Sequence, residues 1–533
     1  MTTNIDPNDC YDLCIIGGGI NGAGIAADAA GRGLKVLLCD QHDLGSATSW
    51  ASSKLIHGGL RYLEQYQFRL VRESLNEREI LLNKAPHLIR PQQFLLPHSQ
   101  HHRPAWMIRC GLFLYDHLST RSTLSGSRSI QIPHHLEDNP LQCQYKQGFV
   151  YSDCTVDDSR LVVANAIQAK QKGATILSRW RCVNGSRCSD QIHWQLNLEQ
   201  IGGPSKTTAY CKTLINATGP WAQTFIESVL ALPSPKTIRW IKGSHLLIHN
   251  EPQLKTALML QTDDQRVVFV IPYLKKHLLI GTTDVQHQGD LNTIKVSQEE
   301  INYLLHTYNQ YFKQPIFESD IISQYAGVRP LCNDQSNTPS TITRDYTLEI
   351  ERSKQNTQAL LSVFGGKLTT YRKLAESALA LLKPDFPGMG KPWTQHQSLP
   401  GGDFSPIMLS EMKKHFCAQF PWMEADLADR VTSAYGTTAE SIFRNTHKKE
   451  DLGQAFGAGL YQKEVDYLIE NEWVQCAKDV IWRRTKLAYQ LDHQEIKNLD
   501  HYIVEKTNPA ANASQFFDKQ AIRLPKNTPI RKK

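Results

Sequence analysis

The sequence predicts an α/β chain in three parts, and three observations predict it. A short apolar strand, Tyr11 to Ile16, runs into a glycine-rich turn and then an alanine-rich helical segment, Gly22 to Arg32; this is the strand, turn and helix unit from which parallel α/β sheets are built. From Thr237 to about Leu331 the pattern changes to alternating strands, including Ile238 to His249 and a hairpin of Arg266–Tyr273 with Leu278–Thr283, which make a separate antiparallel layer. Beyond a Pro- and Gly-rich linker, 384–403, nearly every segment carries helical periodicity.

The first turn has glycines at 17, 19 and 22, the G-x-G-x-x-G spacing. Gly17 permits a tight turn, Gly19 lets backbone approach a pyrophosphate, and Gly22 lets helix and strand pack closely, with phosphates at the helix N-terminus. A second apolar strand, Lys35 to Cys39, ends in Asp40, where such a unit expects an acid for a ribose hydroxyl. Strand, glycines, helix, strand and terminal acid together predict a bound dinucleotide.

The 533 residues exceed what one core serves, so two or three domains are expected. The balance of 59 Lys plus Arg against 52 Asp plus Glu gives a net charge of +7, compatible with anionic substrates, anionic lipid or nucleic acid. Twelve cysteines without a C-x-x-C pair read as thiols in a reducing compartment. The segment before the first strand is short and polar, so neither a secretion signal nor a transit peptide is expected. No apolar run approaches about 20 residues, which argues against a membrane-spanning helix.

Along the chain, Gln41 to Lys54 is a run of small and hydroxylated residues, among them Ser46, Ser52 and Ser53, suited to close contact with a ligand. In Leu55 to Leu63 the pair Gly58 and Gly59 again lets backbone come close, with His57 before it and Arg61 and Tyr62 after. Gln67 to Lys84 has the periodicity of a scaffold helix, and Pro104 to Leu118 reads as a buried helix, with a membrane-surface helix as the alternative. Residues 126–147 read as irregular. Asp157 caps a helix, Arg160 to Lys172, that Gly173 ends, and a strand, Thr175 to Val183, follows. The strand Thr213 to Ala217 turns at Thr218 and Gly219, and Leu360 to Phe364 is a last apolar strand before Gly365-Gly366-Lys367-Leu368-Thr369 opens a helix. Arg329 and Arg344 each lie close to a strand end. A long helix is predicted from about Tyr461 to Leu487. The tail, Lys519 to Lys533, carries six basic residues and no acids, and reads as a solvated end or an electrostatic contact with a membrane.

Taken in this order, the motifs resemble those of the FAD-dependent, membrane-associated glycerol-3-phosphate dehydrogenases of bacteria and mitochondria. The resemblance runs from about residue 10 to about 490. It rests on the dinucleotide turn, Ser52 to Leu63, Ala217 to Trp221, and Gly365 to Arg372; after Arg483-Arg484-Thr485-Lys486-Leu487 no family pattern is visible. It implies a Rossmann-like FAD-binding domain of the glutathione-reductase and amino-acid-oxidase type (1–100, 150–236 and 332–395), an antiparallel substrate domain (101–149 and 237–331), an all-helical C-terminal cap (396–510) and a basic tail (511–533).

The resemblance implies oxidation of sn-glycerol 3-phosphate to dihydroxyacetone phosphate, with flavin N5 taking the hydride and membrane quinone taking the electrons. The protein would then sit peripherally on the cytoplasmic face of the inner membrane, contact an anionic lipid surface and bind neither metal nor nucleic acid; a homodimer is compatible with this. Arginine forks suit phosphate oxygens, and Arg61, Arg329 and Arg344 are the candidates. His245, on the substrate-domain strand, is the expected base for the hydroxyl proton, with His57 and Tyr62 as alternatives. Lys367 and the glycine turn before it would stabilise negative charge on the reduced flavin. The expected cofactor contacts are Gly17, Gly19, Gly22, Asp40, Ser46, Ser52, Ser53, Lys54, His57, Gly58, Val183, Thr218, Gly219, Gly366, Lys367, Leu368 and Thr369. A flavin oxidase of amino acids or 2-hydroxy acids shares the first turn and the antiparallel layer, but a carboxylate substrate usually needs one arginine where three candidates are present. An RNA-binding flavoprotein would need a basic face with stacking aromatics, and the charge is concentrated only in the tail.

Overall fold

The strands β1, Cys10–Ile16, and β2, Val36–Asp40, pair in parallel, as their almost unbroken apolar sequences require, since such strands must be covered on both faces. The structure, a computed structural model, describes residues 10–99, 103–121, 123–132, 139–190, 192–264, 266–332, 345–353 and 357–507. Arg344 and the basic tail lie outside the described residues. The first sheet has the order Thr347–Arg352, Ala359–Phe364, Lys206–Asn216, β1, β2, Thr175–Ser178. Helix α1, Ile20–Gly31, connects β1 to β2 and packs its alanines into the main core beside Ile25, Val36 and Leu38. The alanines let it lie close on the sheet.

The second sheet contains the expected antiparallel strands Ile238–His249, Val267–Tyr273, His277–Gly281 and Ser323–Cys332. It also takes in Ile89–His98 and Gln147–Val156, which pair with each other over their whole length, the former continuing in parallel onto Ala257–Gln261. The expected boundaries at 100/101 and 149/150 therefore do not coincide with sheet boundaries. A local pattern cannot report which sheet a strand joins, because that is set by partners far along the chain.

Three elements differ from expectation. The strand Thr175 to Val183 is two strands, Thr175–Ser178 and Trp180–Arg187, divided at Arg179 with φ 61°. The long helix from Tyr461 is broken: an α-helix covers Gln462–Asn471, Trp473 turns the chain at φ 58°, and a π-helical turn, Asp479–Arg484, follows. Asp479 and Asp500 accept the N–H groups of Cys476 and Ala477 that the break frees, at 3.2 and 2.7 Å. Helix α2, Phe68–Lys84, forms as predicted, and α3, Ala105–His117, forms too, but only one side of α3, with Ile108, Leu112 and Tyr115, is buried. Trp106, Met107, Phe113 and Leu114 face outward, Trp106 at 67% exposure.

The C-terminal helices close their own core around Phe416, Val431, Leu468 and Ile503. All twelve cysteines are free thiols. No helix among the described residues is long and apolar enough to cross a membrane, and no metal-binding cluster occurs among them.

Candidate active site

The C-terminal ends of the parallel strands open onto one cavity of about 440 Å³, the position where open α/β sheets bind ligands. Each strand ends in a turn that faces it: β1 in Gly17, β2 in Asp40, Lys206–Asn216 in Thr218 and Gly219, and Ala359–Phe364 in Gly366. Gly17 has φ 111°, and a Cβ there would meet the Ala217 carbonyl oxygen at 2.3 Å. Gly366 has φ 95°, and its Cβ would meet the Asn21 amide at 2.8 Å. Gly19 also lines the cavity. Gly22 does not; a Cβ there would sit 1.8 Å from the Gly17 carbonyl oxygen, so it is the helix-packing glycine its position predicted.

Asp40 accepts the Gly18 N–H at 2.6 Å and the His42 N–H at 2.7 Å. Burial raises its carboxyl to about 6 against those two donors. Ser46 lines the cavity nearby. Across from them stand Trp180, Arg181 and Cys182, whereas Val183 is exposed and lies outside the cavity; the register of the strand shifts between Cys182 and Asn184, leaving Val183 unpaired in the ladder. At the start of α1, Ser49 Oγ accepts the Ile20 N–H at 3.0 Å. Asn21 donates to the Gly365 carbonyl at 3.2 Å, and its own carboxamide oxygen is buried without a partner.

The other end is built by strands of the second sheet. On Ser323–Cys332, Tyr325, Gly327 and Arg329 share a face by alternation, and Tyr325 pairs in register with His245. His245, 2% exposed, stacks on Tyr325 with centroids 4.8 Å apart and meets Ser53 Oγ through Nε2 at 2.9 Å. Burial, then Lys54 and Arg329, push its imidazole well below 6.5, so the ring is neutral and keeps an acceptor at neutral pH. Arg329 donates to the Thr283 carbonyl at 2.8 Å and pairs with Asp284 at 2.7 Å. Lys367 Nζ lies 4.0 Å from the centre of the Tyr62 ring. His57 lines the same end, its backbone N–H donating to Thr369 Oγ1 at 3.3 Å. Ser52, Ser53, Leu368 and Thr369 complete this wall. The helix after the last glycine turn begins only at Tyr371, so the turn itself, rather than a helix end, presents its backbone here.

Three further predicted residues do not line the cavity. Lys54 is buried, with Nζ donating to Asp158 and to the Trp50 carbonyl, each at 2.7 Å; it is an ion pair behind the wall. Gly58 donates to Tyr115 Oη at 2.8 Å, and a Cβ on it would strike Leu75 at 2.4 Å, so it is a packing glycine. Arg61 sits half-buried in the turn Leu60–Leu63 and does not line the cavity. Asn21, Thr48, Ser49 and Cys182 line it without having been singled out. Asn21 could have been found, since it lies inside the glycine motif at the helix start.

FAD fits this enclosure on three counts: two backbone cradles that a Cβ would fill, an orphaned buried acceptor on Asn21, and an acid at the end of β2. Gly17, Gly19, Asp40 and Ser49 would hold its ADP half, and His57, Gly366 and Lys367 its ring end.

Comparison with known proteins agrees. Residues 12–348 match the family described as FAD dependent oxidoreductase, and residues 392–507 match the C-terminal domain of alpha-glycerophosphate oxidase. The chain is 49% identical over 495 residues to the glycerol-3-phosphate dehydrogenase of Pseudomonas aeruginosa, spanning 93% of this chain and 95% of that one. It is 43% identical over 490 residues to the D-erythritol 1-phosphate dehydrogenase of Brucella abortus, spanning 92% and 97%. Its fold is similar to that of the glycerol-3-phosphate dehydrogenase of Bacillus halodurans solved with FAD, with a TM-score of 0.73 at 26% identity over 94% of this chain and 91% of that one.

Proposed function

This chain belongs to the family of FAD-dependent glycerol-3-phosphate dehydrogenases, and from that premise we propose that it oxidises the secondary hydroxyl of sn-glycerol 3-phosphate to dihydroxyacetone phosphate. One observation carries the reading to the residue level: His245, Arg329, Lys367 and Tyr62 wall the same end of the cofactor cavity. FAD, when bound, supplies the two-electron acceptor. Arg329, preset by Asp284 and the Thr283 carbonyl, presents a cation to the substrate phosphate. Neutral His245 takes the hydroxyl proton as the C–H hydride departs. Lys367 places positive charge beside the ring end, where reduction adds negative charge. Arg61 and Arg344 remain proposed phosphate ligands, Arg61 requiring a turn of its side chain toward the cavity.

The test is anaerobic mixing of the purified holoprotein with glycerol 3-phosphate, erythritol 1-phosphate or an amino acid while the oxidised flavin band is followed. Glycerol 3-phosphate is expected to bleach it fastest. Faster bleaching by erythritol 1-phosphate would transfer the activity to the longer polyol, and bleaching by the amino acid alone would sink the phosphate reading.

We further propose that electrons pass to membrane quinone at the cytoplasmic face of the inner membrane. Helix α3 supports a lipid contact. Its outward face is Trp106, Met107, Cys110, Phe113, Leu114 and His117. An aromatic and aliphatic face of this kind suits the interface of a bilayer. A Trp106→Glu, Phe113→Glu variant is expected to lose most of its sedimentation with vesicles of anionic phospholipid. Unchanged sedimentation together with loss of a dimer on gel filtration would assign this face to a second copy instead.

A further inference from the structure

The segment Trp482-Arg483-Arg484 takes no part in the chemistry above, yet its three consecutive side chains converge on the loop 41–53 of the cofactor cavity. Arg484 grips Asp43 with both terminal nitrogens, each at 2.8 Å, and Arg483 Nε donates to the same carboxylate at 2.5 Å. These partners lie 440 and 441 residues apart in sequence. Asp43 is 2% exposed and Arg484 is fully buried. Trp482 stacks edge-on against Trp50, at the other side of the loop, with centroids 6.5 Å apart. The arginines are themselves braced, Arg483 by Asp479 at 2.5 Å and Arg484 by the Glu472 carbonyl at 2.6 Å. Asp479 also receives Arg179, whose backbone N–H donates to the His42 carbonyl inside the loop. The segment lies at the end of a π-helical turn, closed by Thr485 N–H to the Val480 carbonyl, a rare geometry that recurs at functional positions.

The gripped loop supplies Gln41, His42, Ser46 and Ser49 to the cavity, while Asp43 itself faces away from it. The C-terminal helices hold the rest of the molecule through separate contacts. Arg160, through Glu472, and Lys486, through the Arg483 carbonyl, also reach the two arginines, but Lys275, in the turn before His277–Gly281, pairs with Asp429 of the C-terminal helices at 2.7 Å. Docking of the helices therefore has an attachment, Lys275–Asp429, that touches neither the loop nor its arginines.

We infer that the C-terminal helical domain serves as a clasp on the cofactor: Trp482, Arg483 and Arg484 are positioning residues that hold the loop 41–53 closed over the ADP half of FAD. Burial would raise the Asp43 carboxyl, but Arg484 and Arg483 outweigh it and keep the group ionised, so the grip does not slacken with pH in the neutral range. A bidentate buried pair also sets loop geometry more tightly than apolar contact would.

The experiment is FAD release from the full-length holoprotein after dilution, followed by the rise of free-flavin fluorescence. It needs no substrate, so its outcome is independent of which substrate the enzyme takes. Asp43→Asn is expected to release FAD about tenfold faster, because the charge-assisted contacts from Arg483 and Arg484 are weakened, and excess FAD is expected to restore the bound-flavin absorbance. Lys275→Met, which cuts a docking contact without touching the loop or its arginines, is expected to release FAD at the unsubstituted rate. If Asp43→Asn does not fold, Trp482→Ala and Arg484→Lys carry the test, because neither leaves a buried carboxylate without a cation. Release within twofold of the unsubstituted protein in the folded variants overturns the clasp. Equal acceleration by Lys275→Met also overturns it, by making domain docking rather than the loop grip responsible.

Discussion

Replacing His245 with alanine slows anaerobic flavin reduction by glycerol 3-phosphate about 100- to 10,000-fold, the span of a lost general base, while the substrate's Kd changes little. The ring is buried on Tyr325 and anchored through Nε2 to Ser53, and it makes no ion pair that could be counted toward phosphate binding. Its loss should therefore appear in the rate of the chemical step. Burial, Lys54 and Arg329 hold the imidazole well below 6.5. That guarantees a neutral base at pH 7, yet a weakly basic nitrogen is a poor proton acceptor. A bound phosphate relieves part of this, because its negative charge beside Arg329 offsets the cations, while burial, the larger cause, remains. The base is thus strengthened by the substrate it serves, and glycerol without phosphate should be oxidised poorly even at saturation. Above pH 6.5 the reduction rate of the unsubstituted protein should show no loss from His245 protonation. Equal reduction rates in His245→Ala and the unsubstituted protein would pass the role to His57 or Tyr62, which line the same wall.

The second large effect is structural in origin. Gly17→Ala should yield protein without flavin, read as loss of the oxidised flavin band from the purified chain. At φ 111° an alanine is strained by about 1–3 kcal/mol, and its methyl would stand 2.3 Å from the Ala217 carbonyl oxygen and 2.6 Å from its carbon. Both are backbone atoms just past the end of Lys206–Asn216, tied to β1 by the Ala217 N–H to the Ile16 carbonyl, and cannot withdraw without parting the two strands at this turn. Gly19→Ala is the contrast. A Cβ there meets only Ser49 Oγ, at 3.2 Å, and the residue has φ −77°, so the chain should fold and bind FAD more weakly. Full flavin content in Gly17→Ala would show that β1 and Lys206–Asn216 can separate at no cost.

These two cases show what a motif does and does not convey. The G-x-G-x-x-G spacing names three glycines alike, and the packing around them ranks them, with Gly17 and Gly22 locked by backbone within 2.3 Å and Gly19 left room. The same limit governs the motif Ser52 to Tyr62. Its residues read as one contact surface, but Lys54 and Gly58 point into the protein, to Asp158 and Tyr115, while Ser52, Ser53, His57 and Tyr62 line the cavity. Which side of a turn a residue faces depends on the partner it finds, and Asp158 and Tyr115 lie far along the chain. Helix α3 departs in the opposite sense: its segment reads first as buried, yet only one side is covered, since composition reports which residues are apolar and not what covers them.

By itself the sequence determined the elements that local physics controls: the strand, glycine turn and helix that begin the first sheet, the terminal acid at Asp40, the antiparallel layer and the helical C-terminal part. It also carried the residue types that make the chemistry plausible, because acid, base and cation are properties of single side chains. The tertiary structure alone decided which of them meet. It joined Ile89–His98 and Gln147–Val156 to the second sheet, set Tyr325 and Arg329 beside His245, turned Val183 outward, and brought Arg483 and Arg484 onto Asp43. Such meetings depend on sheet register and on buried charge pairs hundreds of residues apart, and no periodicity within a segment encodes them.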